Sequence, residues 1–371
     1  MEQTRIEETE TETRVLDMQL TQEIFSNFNI EKIAWKSITL KNEESFLLLA
    51  RDEDRVHLYE AGELIAKFGD QPEDQLYLPS PLSAVYYPKT NSYFLLHDFC
   101  ITQIKAKKKP EPKLFLRLFL DDQLTASDQG DSCSRISLLN NKNRRLLVFF
   151  RSRFIVVNIW LKRKEAVIRV ERGDLTTRFT GFPLGDSGTK VCLYSERGVR
   201  VLDIKGVTRG PEYQMILHFR KRPFSAEKIE SVTPGPKGEF ILVSIGRHRS
   251  YGNGSHSGRS RFMLLQLTQK YLRLSCRANL GSLSRFYSDE KVLVSSLGYF
   301  GNRLKFVVYA KVKDFGAGVA ALLDYNTEKE LLTQKYHERL KDCELAYSGA
   351  HKHNNSIYFV GDGKFFKINF S

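Results

Sequence analysis

The chain has 371 residues, and its 57 Lys and Arg residues outnumber its 44 Asp and Glu residues, which gives a formal net charge of +13. It contains no apolar run of about eighteen residues, the length that a membrane-spanning helix needs, and no cleavable signal sequence. We therefore expect neither a transmembrane segment nor secretion. The positive charge predicts an anionic partner such as RNA, an acidic protein or, less favoured, a peripheral anionic membrane.

The N-terminal residues 1–12 form an acidic, threonine-rich segment with almost no apolar side chain to bury. Such a composition predicts a disordered tail. The next segment, residues 13–20 (TRVLDMQL), has the apolar content of a strand, but it is not part of the repeated pattern that follows.

From residue 46 onward, an apolar strand, a short polar turn and a second apolar strand recur along the chain. The apolar runs, such as LLVFF and FIVVNIW, are about five to seven residues long and rich in Val, Ile and Phe, which is typical of buried strands rather than of helices. The pattern occurs seven times, with second strands that start at Phe46, Tyr93, Leu146, Val191, Phe240, Phe306 and Ile357.

The copies start 45 to 66 residues apart, close to the roughly 40 to 50 residues of a four-stranded propeller blade. The last copy contains only three strands, and residues 13–20 can supply the fourth. We therefore predict an all-β fold for residues 13–371: a single seven-bladed β-propeller of four-stranded antiparallel blades, closed by the N-terminal strand. Closure would leave no long sheet edge exposed.

Three segments carry a family resemblance: VHLYEAGELIAKF (residues 56–68), VRVLDIKG (199–206) and ALLDYNTEKELLTQ (321–334). Each resembles the end of the third strand, the turn and the fourth strand of a WD-repeat blade. The Trp-Asp pair of that family does not occur, since Trp35 and Trp160 are followed by Lys36 and Leu161. The resemblance covers almost the whole chain and implies the propeller architecture without identifying a subfamily.

Most of the excess positive charge lies in three turns of blades two and three. In a four-stranded meander, the turn between strands one and two and the turn between strands three and four lie at the same end of the sheet. The three basic turns are therefore expected on one face, where their charges repel one another unless a partner supplies negative charge. We call these cations the basic face; they are Lys105, Lys107, Lys108, Lys109, Lys113, Lys142, Arg144, Arg145, Lys162, Arg163 and Lys164.

Blade five contains a long insertion, residues 246–261, rich in Arg, Gly and Ser. Its glycines predict a flexible segment on the face opposite the basic face. The composition suits RNA phosphates, and the start of the segment also resembles a basophilic kinase site, although a tolerated insertion without a partner explains it equally well. The candidate binding residues are Arg247, Arg249, Arg259 and Arg261.

The segment HFRKRP, residues 218–223, is similar to the Phe-Arg-Arg-Gly segment of phosphoinositide-binding propellers. Phe219 and Arg220 match that motif, whereas Lys221 replaces its second arginine and Arg222 replaces its glycine. The resemblance implies that Arg220, Lys221 and Arg222 are candidates for binding lipid phosphates.

No motif for catalysis is present: there is no nucleophile elbow, no phosphate-binding glycine loop and no HExxH pair. His351 and His353 are spaced like metal ligands but lack a third ligand nearby, so we predict no metal site, no cofactor and no enzyme activity. The five Cys residues form no CxxC pair, which favours buried free thiols in the reducing cytoplasm or nucleus.

These observations favour a non-catalytic scaffold subunit that presents propeller loops to protein partners in a multisubunit intracellular assembly. The main alternative is an RNA-associated subunit of a ribonucleoprotein that uses the basic face. A phosphoinositide-binding propeller is a further, less favoured alternative.

Overall fold

The structure is a computed structural model that describes residues 18–22, 34–40, 46–52, 55–60, 63–68, 81–105, 112–118, 133–140, 144–150, 153–169, 179–185, 188–196, 198–204, 214–220, 227–247, 261–268, 272–279, 293–311, 318–340, 348–351, 356–361 and 364–370. These residues form 28 β-strands and one 3-10 turn, Pro88–Thr90. No helix among them has the length and apolar character that a membrane span requires.

The described strands form seven four-stranded antiparallel sheets, which we number 1 to 7 in chain order. The first strand, β1 (Met18–Gln22), belongs to sheet 7. Sheet 1 contains β2 (Ala34–Leu40), β3 (Phe46–Asp52), β4 (Arg55–Glu60) and β5 (Glu63–Phe68). Sheet 2 contains β6 (Ser83–Tyr87), β7 (Ser92–Leu96), β8 (Cys100–Lys105) and β9 (Lys113–Arg117). Sheet 3 contains β10 (Cys133–Asn140), β11 (Arg145–Phe150), β12 (Arg153–Asn158) and β13 (Arg163–Arg169).

The later sheets repeat this plan, with each strand paired to the next along the chain. Sheet 4 contains β14 (Thr180–Leu184), β15 (Lys190–Ser195), β16 (Gly198–Asp203) and β17 (Gln214–Arg220). Sheet 5 contains β18 (Glu227–Pro234), β19 (Phe240–Arg247), β20 (Arg261–Leu267) and β21 (Leu272–Asn279). Sheet 6 contains β22 (Leu293–Phe300), β23 (Arg303–Lys311), β24 (Gly318–Asn326) and β25 (Leu331–Leu340). Sheet 7 contains β26 (Ser348–His351), β27 (Ser356–Gly361) and β28 (Lys364–Phe370), with β1 beside β28.

The middle strands of sheet 3 explain why its sequence consists of short, continuous apolar runs. Residues 146–150 of β11 and residues 153–157 of β12 are buried without a break, so both faces of these strands are covered. The fourth strand is more open: Arg163 and Arg169 of β13 are exposed, while Ile168 is buried. The sheet is therefore packed between its neighbours, with its last strand at an outer edge.

Consecutive sheets share hydrophobic cores. One core joins sheets 2 and 3, and further cores join sheets 3 and 4, sheets 4 and 5, and sheets 5 and 6. Each core has members from both sheets, for example Phe94 and Val148, Phe149 and Leu193, Val201 and Val243, and Leu242 and Phe306. These shared cores pack sheets 2 to 6 against one another in chain order.

Sheet 7 is built from both ends of the described chain. β1 pairs antiparallel with β28, with Met18 opposite Phe370 and Gln22 opposite Phe366. The first strand of this sheet, β26, contacts β22 of sheet 6 and β2 of sheet 1. The predicted N-terminal strand, residues 13–20, is thus observed as Met18–Gln22, and residues 13–17 lie outside the described residues.

The predicted all-β fold of four-stranded antiparallel sheets is confirmed, and each of the seven predicted second strands lies within a second strand of the structure. The predicted end of the third strand of sheet 3 was wrong. The run FIVVNIW predicted a strand through Trp160, but β12 ends at Asn158 because the side chain of Asn158 accepts a hydrogen bond from the backbone N–H of Leu161 and starts a turn.

Two of the three segments that resemble WD repeats lie across a third and a fourth strand. Residues 56–68 span most of β4 and all of β5, and residues 321–334 span most of β24 and the start of β25. Residues 199–206 cover most of the third strand β16 but end before the fourth strand β17, and residues 205–206 are outside the described residues. The predicted flexible insertion lies between β19 and β20, and residues 248–260 are outside the described part of the chain. The acidic tail, residues 1–12, is outside it as well.

The turns between first and second strands of sheets 4 and 5 touch through two glycines. Gly185 has a φ of +63° and Gly238 a φ of +73°, a left-handed conformation that glycine adopts without steric cost. A Cβ atom on Gly238 would collide with the backbone nitrogen of Gly185. These two positions therefore require glycine for both conformation and space.

Two cysteines are buried free thiols, as the sequence predicted. Burial raises the pKa of the Cys100 thiol to about 11, although the positive charge of Arg117 opposes part of the rise, and burial raises the pKa of the Cys192 thiol as well. Both thiols thus hold their proton more tightly in the folded protein than in the unfolded chain, so their contribution to stability is lost as the pH rises through the folded-state pKa.

We expect Cys100 and Cys192 to resist iodoacetamide at pH 8 in the native protein and to react fully in denaturant, because alkylation requires an accessible thiolate. Peptide mass spectrometry after timed labelling measures each site separately. Rapid labelling of either cysteine in the native protein would contradict their burial.

Candidate interaction surface on sheets 2 and 3

The antiparallel order of each sheet places two of its turns at one end. The turn between the first and second strands and the turn between the third and fourth strands share this end, which we call the turn end. Sheets 2 and 3 share a hydrophobic core, and the backbone N–H of Ile136 in β10 donates to the hydroxyl oxygen of Ser83 in β6 at 3.4 Å. Their turn ends therefore lie side by side.

A hydrogen-bonded turn at the turn end of sheet 3 displays two apolar side chains. This turn, residues 159–162, is called the Trp160 turn. The backbone N–H of Ile159 donates to the carbonyl oxygen of Arg144 at 2.8 Å, and that of Leu161 donates to Asn158 Oδ1 at 2.9 Å. Lys162 closes the turn with a left-handed φ of 49°. Trp160 and Leu161 are held outward, with 71% and 51% of their surface exposed.

Arg144 lies beside the Trp160 turn. Its guanidinium carbon lies 4.7 Å from the centroid of the Trp160 ring, a cation–π contact. Burial raises the pKa of Tyr87 at the end of β6, and the positive charge of Arg144 opposes part of this rise. The charge of Arg144 is therefore felt on the adjacent sheet 2 as well.

Arg145 of the basic face forms an ion pair within sheet 3. Its Nε donates to Glu165 Oε2 at 2.5 Å, and Asn158 Nδ2 donates to Glu165 Oε1 at 2.6 Å. All three side chains are at least partly buried. Glu165 therefore links the strands on either side of the Trp160 turn, and Arg145 contributes to local structure.

The other described cations of the basic face lie at the same turn ends. Four of them are exposed, namely Lys105, Lys113, Lys162 and Arg163, and Arg144 is exposed beside Trp160. Lys164 is half-buried. The remaining members lie outside the described residues; they are Lys107, Lys108, Lys109 and Lys142.

Sequence reasoning missed three residues at this surface. Lys89 is exposed in the 3-10 turn between β6 and β7, at the turn end of sheet 2. The sequence YYPKTNS indicates a turn by its Pro and Asn, so this lysine could have been found. Trp160 and Leu161 had no such signal, because they continue an apolar run.

Three described residues of the other two candidate sites lie at the opposite end of the sheets. Arg220 ends β17, Arg247 ends β19 and Arg261 begins β20, which places all three away from the turn ends. The remaining candidates of these two sites are outside the described residues; they are Lys221, Arg222, Arg249 and Arg259. The structure does not bring these arginines together with the basic face.

The candidate metal ligands are not assembled in the described part of the chain. His351 ends β26, and His353 lies outside the described residues. Among the described residues, no three His, Cys, Asp or Glu side chains are grouped as a metal ion would require.

No protein-family model and no curated protein matches this sequence. Solved structures match it in fold. The β-propeller domain of Nup133 from Vanderwaltozyma polyspora is 11% identical with a TM-score of 0.61, and the match covers 95% of this chain and 98% of that one. U3-55K is 10% identical with a TM-score of 0.58 and the same two coverages. A chain of the S. cerevisiae complex of Dbp5 with Nup159, Gle1, IP6 and ADP is 8% identical, with a TM-score of 0.55 and 95% coverage of each chain.

This chain has a β-propeller fold. The four-stranded sheets correspond to propeller blades, which are arranged radially around a central channel. In this β-propeller, the basic face and the Trp160 turn belong to two adjacent blades and share one end of them. The surface therefore combines exposed positive charge with exposed apolar area.

Proposed function

We propose that this protein is a non-catalytic scaffold subunit of a larger intracellular assembly, and that its basic face docks an acidic surface of a protein partner. The scaffold is a closed seven-bladed propeller. Support for closure comes from the contact of β26 with β2 and from the pairing of β1 with β28. A closed ring is rigid, so its turns keep fixed positions relative to one another. The free thiols fit the cytoplasm or the nucleus.

The observation that carries this proposal is the preorganised cationic surface around Trp160. Arg144 is held by its backbone hydrogen bond and by its stacking on Trp160, so it loses little conformational freedom when it binds a carboxylate. Trp and Arg are also the residues most enriched at the centres of protein interfaces. The neighbours in fold support the same role, since one of them comes from a complex of several proteins.

Removing six charges of the basic face should weaken partner binding by at least about tenfold at low salt and leave the melting temperature within about 2 °C, because charges on turns in contact with solvent contribute little to folding. Half-buried Lys164 is left unchanged. The six positions to be changed to Ser are Lys105, Lys107, Lys108, Lys109, Lys162 and Arg163. The measurement is the affinity for co-purified partner at two salt concentrations.

A matched control removes six positive charges from the other two candidate sites and therefore has the same net charge. Its six positions are Lys221, Arg222, Arg247, Arg249, Arg259 and Arg261. We expect the control to bind like the unchanged protein. If both variants lose the same affinity for the partner, net charge alone explains the effect. If only the control loses affinity, the partner binds at the control residues and not at the basic face.

RNA is the second candidate partner, because an exposed Trp among cations is also a platform on which a base can stack. Phosphate contacts would produce a steep, linear loss of log affinity with log salt concentration. Filter binding of single-stranded RNA to the same two variants tests this. If only RNA binding depends on the basic face, the RNA-associated function replaces the protein scaffold.

A further inference from the structure

A turn in sheet 6 has the same backbone as the Trp160 turn. The backbone N–H of Lys329 donates to Asn326 Oδ1 at 3.1 Å, and that of Thr327 donates to the carbonyl oxygen of Asn302 at 3.0 Å. Glu330 closes this turn with a φ of 49°, the same value as Lys162. Each turn thus uses an Asn side chain at its start and a left-handed residue at its end.

The side chains that the two turns display are different. Sheet 6 has Glu328 and Lys329 at the two exposed positions where sheet 3 has Trp160 and Leu161. The same hydrogen-bond pattern therefore forms with charged residues at these two positions, and it does not require the apolar pair. Adjacent exposed apolar side chains that the local fold does not need indicate a contact surface.

The surroundings of the apolar pair define what it can bind. Arg144 stacks on Trp160, and exposed Lys162 and Arg163 follow directly in sequence. Lys89 adds a further exposed positive charge at the adjacent turn end of sheet 2. The site thus offers an apolar contact bordered by three cations, with a fourth at the adjacent turn end, and this arrangement complements an apolar side chain flanked by carboxylates.

We propose that the Trp160 turn is the anchor site for an acidic peptide segment of the protein partner. One apolar or aromatic side chain of this segment packs on Trp160 and Leu161, while its flanking carboxylates bind Arg144, Lys162 and Arg163. This inference rests on the proposed scaffold function and specifies the chemistry of the partner. It also explains why the charge cluster surrounds an exposed Trp.

A peptide fits the site better than single-stranded RNA does. RNA would use the Trp ring and the cations, but its phosphate backbone offers no apolar group to the exposed Leu161 beside them. Arg144 moreover lies over the Trp160 ring, where it limits stacking of a base. An aliphatic or aromatic side chain of a peptide needs only the edge of the indole and the Leu161 methyl groups.

The test variant places the two exposed residues of the sheet 6 turn in the Trp160 turn by combining Trp160→Glu with Leu161→Lys. The net charge is unchanged, and the same two residue types already occupy the matching positions of the sheet 6 turn. The probes are three fluorescein-labelled molecules: a Glu/Asp/Ser peptide with one central Phe, the same peptide with Ser in place of Phe, and an oligouridine RNA. Fluorescence anisotropy measures their affinities, and thermal melting checks the fold of the variant.

The unchanged protein should bind the Phe peptide about tenfold more tightly than the Ser peptide, as expected for burial of an aromatic side chain. The test variant should lose this preference and bind both peptides with equal, weak affinity. Trp160 also reports binding without any substitution, because it is one of two Trp residues in the chain. The Phe peptide should protect its fluorescence from acrylamide, and the Ser peptide should protect it less.

Each contrary result has a distinct meaning. If the test variant still prefers the Phe peptide, the anchor site is wrong. The scaffold proposal nevertheless stands if the variant that lacks six charges of the basic face loses affinity for the co-purified partner. Tight oligouridine binding that the test variant loses, with no peptide binding, assigns the site to RNA. Both proposals are wrong if neither peptide binds and the variant that lacks six charges of the basic face keeps its affinity for the co-purified partner. If the test variant does not fold, the Leu161→Ser variant takes its place in the peptide-binding measurement. Protection of Trp160 fluorescence from acrylamide by the Phe peptide then tests the anchor site in the unchanged protein.

Discussion

Deleting residues 1–22 is expected to lower the melting temperature of the protein by about 5 to 10 °C. The deletion removes β1, which supplies one of the four strands of sheet 7 and pairs along its whole length with β28. Without β1, the backbone N–H and C=O groups along one edge of β28 lose their partners and become an open edge. Thermal unfolding followed by circular dichroism measures the change.

The control for this experiment is deletion of residues 1–12, the acidic segment alone, which should leave the melting temperature within about 2 °C. Both proteins should also be compared by size-exclusion chromatography, because an open strand edge promotes self-association. If the two truncated proteins melt together, β1 contributes nothing to stability and the proposal of a ring closed through sheet 7 loses its main support.

Substitution of Gly238 by Ala should destabilise the protein by about 3 kcal/mol or more. A left-handed conformation costs an L-residue about 1 to 2 kcal/mol, and the added methyl group would also collide with the backbone of Gly185. Neither strain can be relieved locally, because the collision involves backbone of the adjacent sheet. The measurement is chemical denaturation with the change in midpoint at constant slope.

Gly301→Ala is the matched control, because Gly301 has a similar φ of +57° but no atom within 4 Å of the added Cβ. It should cost only about 1 kcal/mol, the conformational part of the effect. The difference between the two variants isolates the contact between the turns of sheets 4 and 5. Equal destabilisation would mean that this contact relaxes at no cost.

The sequence predicted the strands of the sheet interiors well because burial on both faces leaves a strong signal. Residues 146–150 are all apolar and all buried, so the second strand of sheet 3 is readable without a structure. Strands at the sheet edges carry a weaker signal. The N-terminal strand is an example, since the expected residues 13–20 overlap the observed Met18–Gln22 only in part.

Of the candidate surface, the sequence predicted only the cluster of positive charges. Meander topology alone places the basic turns at one end, so this part required no knowledge of side-chain geometry. Two features depended on atomic detail instead. The end of β12 is set by the hydrogen bond of the Asn158 side chain, which converts Trp160 from a strand residue into an exposed turn residue. Likewise, the pairing of Arg145 with Glu165 depends on which residues of β11 and β13 lie near each other.

The composition of sheet 7 has a consequence for how the protein is made. Sheets 1 to 6 each consist of strands that follow one another in sequence, so each can form as its residues leave the ribosome. β1 is synthesised before all of them, yet its partner β28 is synthesised after all of them. Until β28 is made, β1 is therefore an unpaired strand beside nascent sheets that it could join wrongly. Its sequence, MQLTQ, contains three polar residues in five, which reduces the apolar gain from any such mispairing.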